Sequence, residues 1–372
     1  MRILHTEWSE GYGGQERRII LECKGFKSRG HYVALACKPQ AKIREWAEKE
    51  EIDIFYIPFR KALDFESIFK LIKIIKEKDI EIVNTHSGID SWCGGLAAKL
   101  AGAPVLIRTR HLDLPLKRNI FNFIHYMPDM IITCGENIKK NLENCGFPSH
   151  KLISIPTGVE KKFFNIKRDK KIKLKYGLKE NTPVITNVGV LRREKGHEIT
   201  LKAYKLVLEK IPEAVLMIVG DGPSKPRILN EVRQLNLNDK VIFTGFLENP
   251  TEIFSFADVN VISSWPISEG LPQVLLQAFA AGVPTVATKV GGIPEVLIDN
   301  ETGITVNPGD YKGMAEAIIK VLNNYNWAKE ITLRGRKIVE EKYSEEVMLD
   351  KLENLYKKLL NQKSEYSTYR NS

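Results

Sequence analysis

The chain has 372 residues, 43% hydrophobic and 27% charged, and carries a net charge of +10. This is the balance of an ordinary globular protein long enough for two domains, and no run of about 18 apolar residues marks a membrane-spanning helix. The basic excess asks for an acidic partner. There is no zinc-finger spacing, ribonucleoprotein aromatic signature or Arg-rich arm, which sets nucleic acid aside and leaves a phosphorylated substrate or an anionic membrane.

Taken in chain order, short apolar runs alternate with longer helical patterns, the mark of parallel sheets covered by helices. Met1 is expected to lead directly into a strand, without a secretory signal. Strands are predicted at residues 2–5, 32–37, 53–56, 82–86, 105–108, 130–133 and 152–155. After the first, Gly11-Tyr12-Gly13-Gly14-Gln15-Glu16 opens a helix, where glycine permits close backbone approach and the helix start favours phosphate. The spacing is not that of a dinucleotide fingerprint, and a tight turn without ligand explains it equally well. A helix over 65–78 places Phe65, Ile68, Phe69, Ile72 and Ile75 on one packed face, with Lys70, Lys73, Lys76 and Lys78 mostly on the other. The lysine face reads as solvated rather than membrane-bound. His86 and His111 fall at predicted strand ends, so His111 is as good a candidate for chemistry as for structure. The five cysteines are scattered without Cys-x-x-Cys spacing and read as reduced residues.

A basic, apolar-poor stretch over 161–175 reads as a linker and the start of a second unit. Strands are then predicted at 184–188, 215–219, 241–244, 259–263 and 284–288, with helices at 197–210 and 225–235. A last helix lies near 344–361, followed by a polar tail. The predicted fold is α/β, two facing Rossmann-like doubly wound domains with a cleft between them. The expected divisions are 1–165, 166–345, and a helix and tail over 346–372 able to cross back to the first domain. Ligands of such sheets sit at the carboxyl ends of the strands, so the loops there carry the chemistry.

The most informative of those loops is Ser268-Glu269-Gly270-Leu271-Pro272-Gln273-Val274. Pro272 is predicted at the first helical position, which leaves the amides of Gln273 and Val274 at the positive end of the helix. Such an end favours an anion by about 0.3–1 kcal/mol. A carboxylate, Glu269, beside an anion site suits a ligand with both hydroxyls and phosphate, such as a sugar nucleotide. Gly189 to His197 sets several cations on a Gly-bounded loop. Lys195 is assigned to a pyrophosphate there, with either Arg192 or Arg193. Gly220-Asp221-Gly222-Pro223 brings backbone close to base or ribose, Gly245-Phe246 flanks the base, and Glu295 follows the Gly291-Gly292 turn. No Asp-x-Asp pair and no His/Asp cluster has metal spacing, so neither a metal nor another cofactor is expected.

In order along nearly the whole chain, these segments resemble the family-4 retaining glycosyltransferases of GT-B architecture. The matching residues are Gly13-Gly14-Gln15-Glu16, the His111 loop, Ile155-Pro156-Thr157-Gly158-Val159, Gly189 to Gly196, Gly220-Asp221-Gly222-Pro223, the Glu269 segment and Gly291-Gly292-Ile293-Pro294-Glu295. The resemblance implies transfer of a sugar from a nucleotide-sugar donor to a lipid-linked or cell-surface polysaccharide or lipopolysaccharide precursor, with retention and without metal. Family frequency favours a uridine diphosphate donor. It implies a cytoplasmic protein, peripheral on the membrane where the acceptor is lipid. Glu269 would hold hydroxyls of the donor sugar, and Gly270, Leu271, Gln273 and Val274 would meet sugar and phosphate. Lys195 with a neighbouring arginine would stabilise the leaving diphosphate, and His111 would lie beside sugar and acceptor.

The chain departs from the family pattern at three places. Gln277 stands where a second acid is expected on the ribose, and it loses the charge-assisted bond, about twice as strong as a neutral one. Val190 replaces an arginine, and Thr157 an asparagine. Two other readings therefore stand beside the first: a nucleotide-sugar epimerase of related fold, or a non-catalytic sugar-nucleotide binding module. The basic, aromatic stretch from Leu116 to Phe123 is the candidate membrane contact.

Overall fold

The computed structural model describes residues 1–113, 120–266 and 270–371. The chain divides into two compact units, Met1–Gly158 together with Glu345–Ser372, and Val159–Ser344. In the first unit the elements are β1 (Arg2–Glu7), α1 (Gly14–Ser28), β2 (Tyr32–Cys37), α2 (Ile43–Lys49), β3 (Asp53–Tyr56), α3 (Phe65–Glu77), β4 (Ile82–Thr85), α4 (Gly88–Ala101), β5 (Val105–Arg110), β6 (Met130–Thr133), α5 (Glu136–Asn144) and β7 (Leu152–Ser154). The sheet order is β3-β2-β1-β4-β5-β6-β7. The central strands β2, β1, β4 and β5 are buried on both faces, whereas the edge strand β3 is partly exposed. All its strands are parallel, and the sequence order of the strands reverses between β1 and β4, the place where such sheets bind ligands.

β1 and β5 run two residues beyond their expected ends, to Glu7 and Arg110. Pairing with β2 continues to Glu7 opposite Cys37, so polar residues are carried inside the strand. α3 also departs from its expected packing. Ser67, Ile68, Leu71 and Ile75 form its buried stripe, while Phe65 and Phe69 are 67% and 68% exposed. The phase is set at the first turn. Ser67 Oγ donates to Asp64 at 2.7 Å and accepts the Phe59 amide at 2.9 Å, which turns Ser67 inward and both phenylalanines outward.

The second unit contains α6 (Lys161–Phe164), β8 (Val184–Val188), α7 (His197–Leu208), β9 (Val215–Val219), α8 (Lys225–Gln234), β10 (Val241–Gly245), α9 (Thr251–Phe254), β11 (Val259–Ile262), α10 (Gln273–Ala280), β12 (Thr285–Thr288), β13 (Ile304–Val306), α11 (Tyr311–Asn323) and α12 (Tyr325–Tyr343). Its parallel sheet has the order β10-β9-β8-β11-β12-β13, reversing between β8 and β11. β13, three residues long, was too short to predict. The stretch expected as a linker is folded onto this unit. Phe163 is buried, and the buried Lys173 donates to the Thr182 carbonyl at 2.6 Å and to Asp258 at 3.0 Å, the pairing a buried ammonium needs.

The last helix, α13 (Glu345–Asn371), returns to the first unit. Its Met348, Leu349, Leu352, Leu355, Tyr356 and Leu359 join Ile19, Cys23 and Phe26 in one core. Arg29 fixes its orientation through Glu346, Asp350 and Glu353, each at 2.8 Å. All five cysteines are free, and no described helix is long and apolar enough to cross a membrane.

Candidate functional site

In the second unit, the loops after β8, β9, β10 and β11 meet at the carboxyl edge, around the reversal in strand order. Backbone hydrogen bonds lock them. Gly189 donates to Val219, Leu191 to Asp221, and Gly220 to Gly245, all at 2.9–3.0 Å. Gly220 has φ 143°, and a Cβ there would lie 1.9 Å from the Gly189 carbonyl oxygen, so no other residue fits. Gly196 has φ 62° and is crowded in the same way by the Ser263 carbonyl at 2.1 Å. These contacts explain the glycines as a means of drawing four strand ends together.

The loop from Gly189 to His197 is held to β11. Ser263 Oγ donates to the Lys195 carbonyl at 2.8 Å, and the Trp265 amide donates to the Glu194 carbonyl at 2.8 Å. Behind Ser263, Asn187 donates to Thr200, and Thr200 to Ser263, both at 2.9 Å and all buried. Lys195 is half-buried, whereas Arg192 and Arg193 are exposed. Asn187, Thr200 and Ser263 were not anticipated. They lie in β8, on α7 and just after β11, and the only signal in the sequence was that buried polar residues must find partners.

Pro272 does not occupy the first helical position. Its ψ of 126° is extended, and α10 begins at Gln273. Its carbonyl accepts the Leu275 amide at 3.1 Å, so it acts as the residue capping the helix. Gln273 and Val274 therefore hold the first two helical positions, one place earlier than expected. Gln277 is half-buried one turn further on, Leu271 is buried, and the Gly292 amide donates to the Gly270 carbonyl at 2.9 Å, bringing the Glu295 turn to the same edge. Phe246 is 56% exposed after β10, and Asp221 is exposed and paired with Lys225 at 3.3 Å. Glu269 lies outside the described residues.

The first unit carries a second polar centre at its own reversal point. His111 follows β5, and its Nε2 lies 3.0 Å from His86 Nδ1. His86 Nε2 is in turn 2.9 Å from His5 Nδ1 on β1. At the other end, His111 Nδ1 is 3.4 Å from Cys134 Sγ, which accepts from Arg18 Nη1 at 3.1 Å. All three imidazoles are held below their usual pKa, chiefly by burial, and are neutral. Each therefore bears one hydrogen. The consistent direction runs from His5 through His86 and His111 to Cys134. The opposite direction would leave an N–H at His5 Nε2, a buried atom with no hydrogen-bond partner. Both ring nitrogens of His111 are thus used inside the unit.

Gly13 caps α1, and its amide is taken by Glu16 Oε2 at 2.7 Å, while Gly14 is exposed. Beside them lies a carboxyl pair that sequence reading missed because Glu7 counted as loop. Glu7 accepts from the Ser9 amide at 2.8 Å, from Ser87 Oγ at 2.9 Å and from Gln15. Asp90 accepts the His86 and Ser87 amides at 2.7 and 2.9 Å. Burial, then the nearby Asp90 charge, push Glu7 up from its ordinary 4.5 to about 8. The folded state thus keeps a proton that the unfolded chain has lost, and stability falls as pH rises between those values. Glu7→Gln is expected to flatten that fall, read as urea midpoints at about pH 5 and about pH 9. An equally steep fall in the variant would assign it to other groups.

Comparison with known proteins agrees with this arrangement. Residues 168–338 match the family described as "Glycosyl transferases group 1", and residues 12–163 match "Glycosyltransferase Family 4". The chain is 27% identical over 311 residues to the N-acetyl-alpha-D-glucosaminyl L-malate synthase of Bacillus anthracis, covering 81% of this chain and 80% of that protein. It is 25% identical over 351 residues to the UDP-Gal:alpha-D-GlcNAc-diphosphoundecaprenol alpha-1,3-galactosyltransferase of Escherichia coli, covering 87% and 88%. The structure of Anabaena HepE in complex with UDP superposes with a TM-score of 0.83 at 17% identity, over 96% of this chain and all of that one. With two Rossmann-like units in the expected order and both halves matched, the chain belongs to the family-4, group 1 glycosyltransferases of the GT-B fold.

Proposed function

We propose that the protein is a retaining, metal-independent glycosyltransferase that moves a sugar from a uridine diphosphate donor to a lipid-linked or cell-surface polysaccharide or lipopolysaccharide precursor. The observation that carries this is the carboxyl edge of the second unit, where backbone bonds tie the loop over 189–196 to the Gly220 turn and to Trp265 after β11, and tie Gly270, ahead of α10, to Gly292. In this reading Glu269 holds donor hydroxyls, and the Gln273 and Val274 amides bind phosphate. Lys195, with Arg192 or Arg193, meets the departing diphosphate. Gln277 bonds ribose as a neutral partner, and Phe246 and Gly245 flank the base. The bond from the anomeric carbon to the β-phosphate oxygen breaks, the acceptor oxygen joins the same face, and its proton leaves on the diphosphate. Positive charge preorganised at that oxygen lowers the barrier. His111 would stand beside the sugar, and it must release His86 before Nε2 can meet a hydroxyl.

Two names support the choice of donor and acceptor. The E. coli relative uses UDP-Gal and a diphosphoundecaprenol-linked acceptor, and HepE binds UDP. We place the protein in the cytoplasm, at the membrane where its acceptor is lipid. Incubation with nucleotide sugars and lipid-linked acceptors should release nucleotide diphosphate and give a glycosylated product in EDTA. UDP at about 100 times its dissociation constant should add about 2.7 kcal/mol of stability. An isomerised donor would instead indicate the epimerase, and tight donor binding without turnover the binding module. Activity lost in EDTA and restored by magnesium or manganese would overturn metal independence.

A further inference from the structure

We propose that the outer face of α3, with Phe65 and Phe69 and the preceding Leu63, is a docking surface for an anionic lipid bilayer. The two rings stand one helical turn apart and are 67% and 68% exposed, and Leu63 is exposed beside them. Large aromatic side chains left in water on one face of a folded domain mark an interaction site. Lys70, Lys73 and Lys76 rise from the same helix, with Lys61 just before it, and all four are exposed. Lys70 and Lys73 pair only with the exposed Glu66 and Glu77, at 2.9 and 3.6 Å. Such pairs are weak and readily exchanged for phosphate. Among the described residues, Lys61 and Lys76 have no carboxylate partner. The neighbouring α4, which packs along α3, adds an exposed Leu100.

Charge and shape select the occupant. A protein partner would have to provide a groove for a convex ridge, and lysine is depleted at protein interfaces. A bilayer yields to a convex ridge, takes aromatic rings at headgroup depth and meets surrounding lysines with lipid phosphates. α3 follows the carboxyl end of β3, so its first turn lies toward the edge of the sheet that also carries Glu7 and His111. A docked bilayer would therefore border that polar edge. The surface does not depend on the donor assignment. It differs from the stretch expected from sequence, Leu116 to Phe123. Residues 116–119 of that stretch lie outside the described residues, and the Phe123 ring packs edge-on against Trp92 at 5.1 Å.

Vesicle co-sedimentation of the full chain tests this. The unaltered protein should pellet with phosphatidylcholine vesicles containing phosphatidylglycerol, and at least about tenfold less with phosphatidylcholine alone. Phe65→Ser/Phe69→Ser and, separately, Lys61→Glu/Lys76→Glu should each weaken partition by about tenfold or more, with UDP-induced thermal shifts and far-UV circular dichroism unchanged. Phe65→Trp, a conservative change that does not depend on the double variants folding, should show blue-shifted indole emission on the anionic vesicles. The proposal is overturned if the unaltered protein stays in the supernatant, if the double variants partition normally, or if the emission of the Phe65→Trp variant does not move. A concentration-dependent dimer abolished by Phe65→Ser/Phe69→Ser, without vesicle binding, would name a second copy as the occupant and overturn it too.

Discussion

Lys195→Ala is expected to lower kcat by about 10²–10³-fold, the loss typical of one preorganised charge at a developing anion. Lys195 sits on a loop held by bonds to its backbone. Its carbonyl is held by Ser263, and its neighbours are fixed by Trp265 and by Gly196. Truncation should therefore leave the fold and the UDP thermal shift largely in place, so the loss appears in the chemical step. Glu269→Ala should cost as much, with KM for the nucleotide sugar rising more than the dissociation constant of UDP, because the carboxylate is assigned to the sugar. Rates like those of the unaltered enzyme in both variants would sink the site assignment. A collapse of UDP binding in Lys195→Ala with kcat preserved would move Lys195 from chemistry to affinity.

Arg18→Met is expected to destabilise the protein by about 3–5 kcal/mol, the cost of leaving a buried charge without its partner. Arg18 and Glu22 are both fully buried, one turn apart on α1, with Nε to Oε1 at 2.6 Å. Burial opposes the guanidinium charge, and Cys134 and Glu22 outweigh it, so Arg18 stays charged. The same side chain donates to the Ile155 carbonyl at 2.6 Å and to Cys134, tying α1 to the ends of β6 and β7. A melting point lower by roughly 10 °C is the expected reading for a unit of this size. The double change Arg18→Met/Glu22→Leu should recover much of the loss, since replacing a buried ion pair by packed apolar groups is often neutral. A double variant no better than the single one would show that the packing around Arg18, rather than its charge, is what matters.

Much of the second unit was readable because strands there are written in short, mostly apolar runs followed by glycine. Val215 to Val219 before Gly220, and Val184 to Val188 before Gly189, announce both a buried parallel strand and a turn at its carboxyl end. The donor loops followed from that, since binding in such sheets gathers at those ends. What stayed hidden was polar and long-range. Glu7 and His5 sit in a strand whose apolar run is short, and only pairing with β2 and β4 reveals that they are interior. Nothing local tells that His5, His86 and His111 would share one row, because the three strands involved are adjacent only in the folded sheet. Phe65 and Phe69 misled for a different reason. Periodicity identifies two possible faces, and the choice between them was made by Ser67, whose hydroxyl finds Asp64 and Phe59 inside.

The return of α13 to the first unit has a consequence for the order in which the protein can be made. The chain leaves the first unit after Gly158 and comes back at Glu345, so the second unit is an insertion between two parts of the first. The sheet of the first unit is made before the second unit, but its face over Ile19, Cys23 and Phe26 lacks Leu349, Leu352 and Tyr356 until the second unit has followed it. The second unit has all its own strands by then and can close first, although it comes second in sequence. Domains usually mature from the N-terminus during synthesis. Here the earlier-made part must wait, with apolar surface uncovered, until the whole second unit has been made.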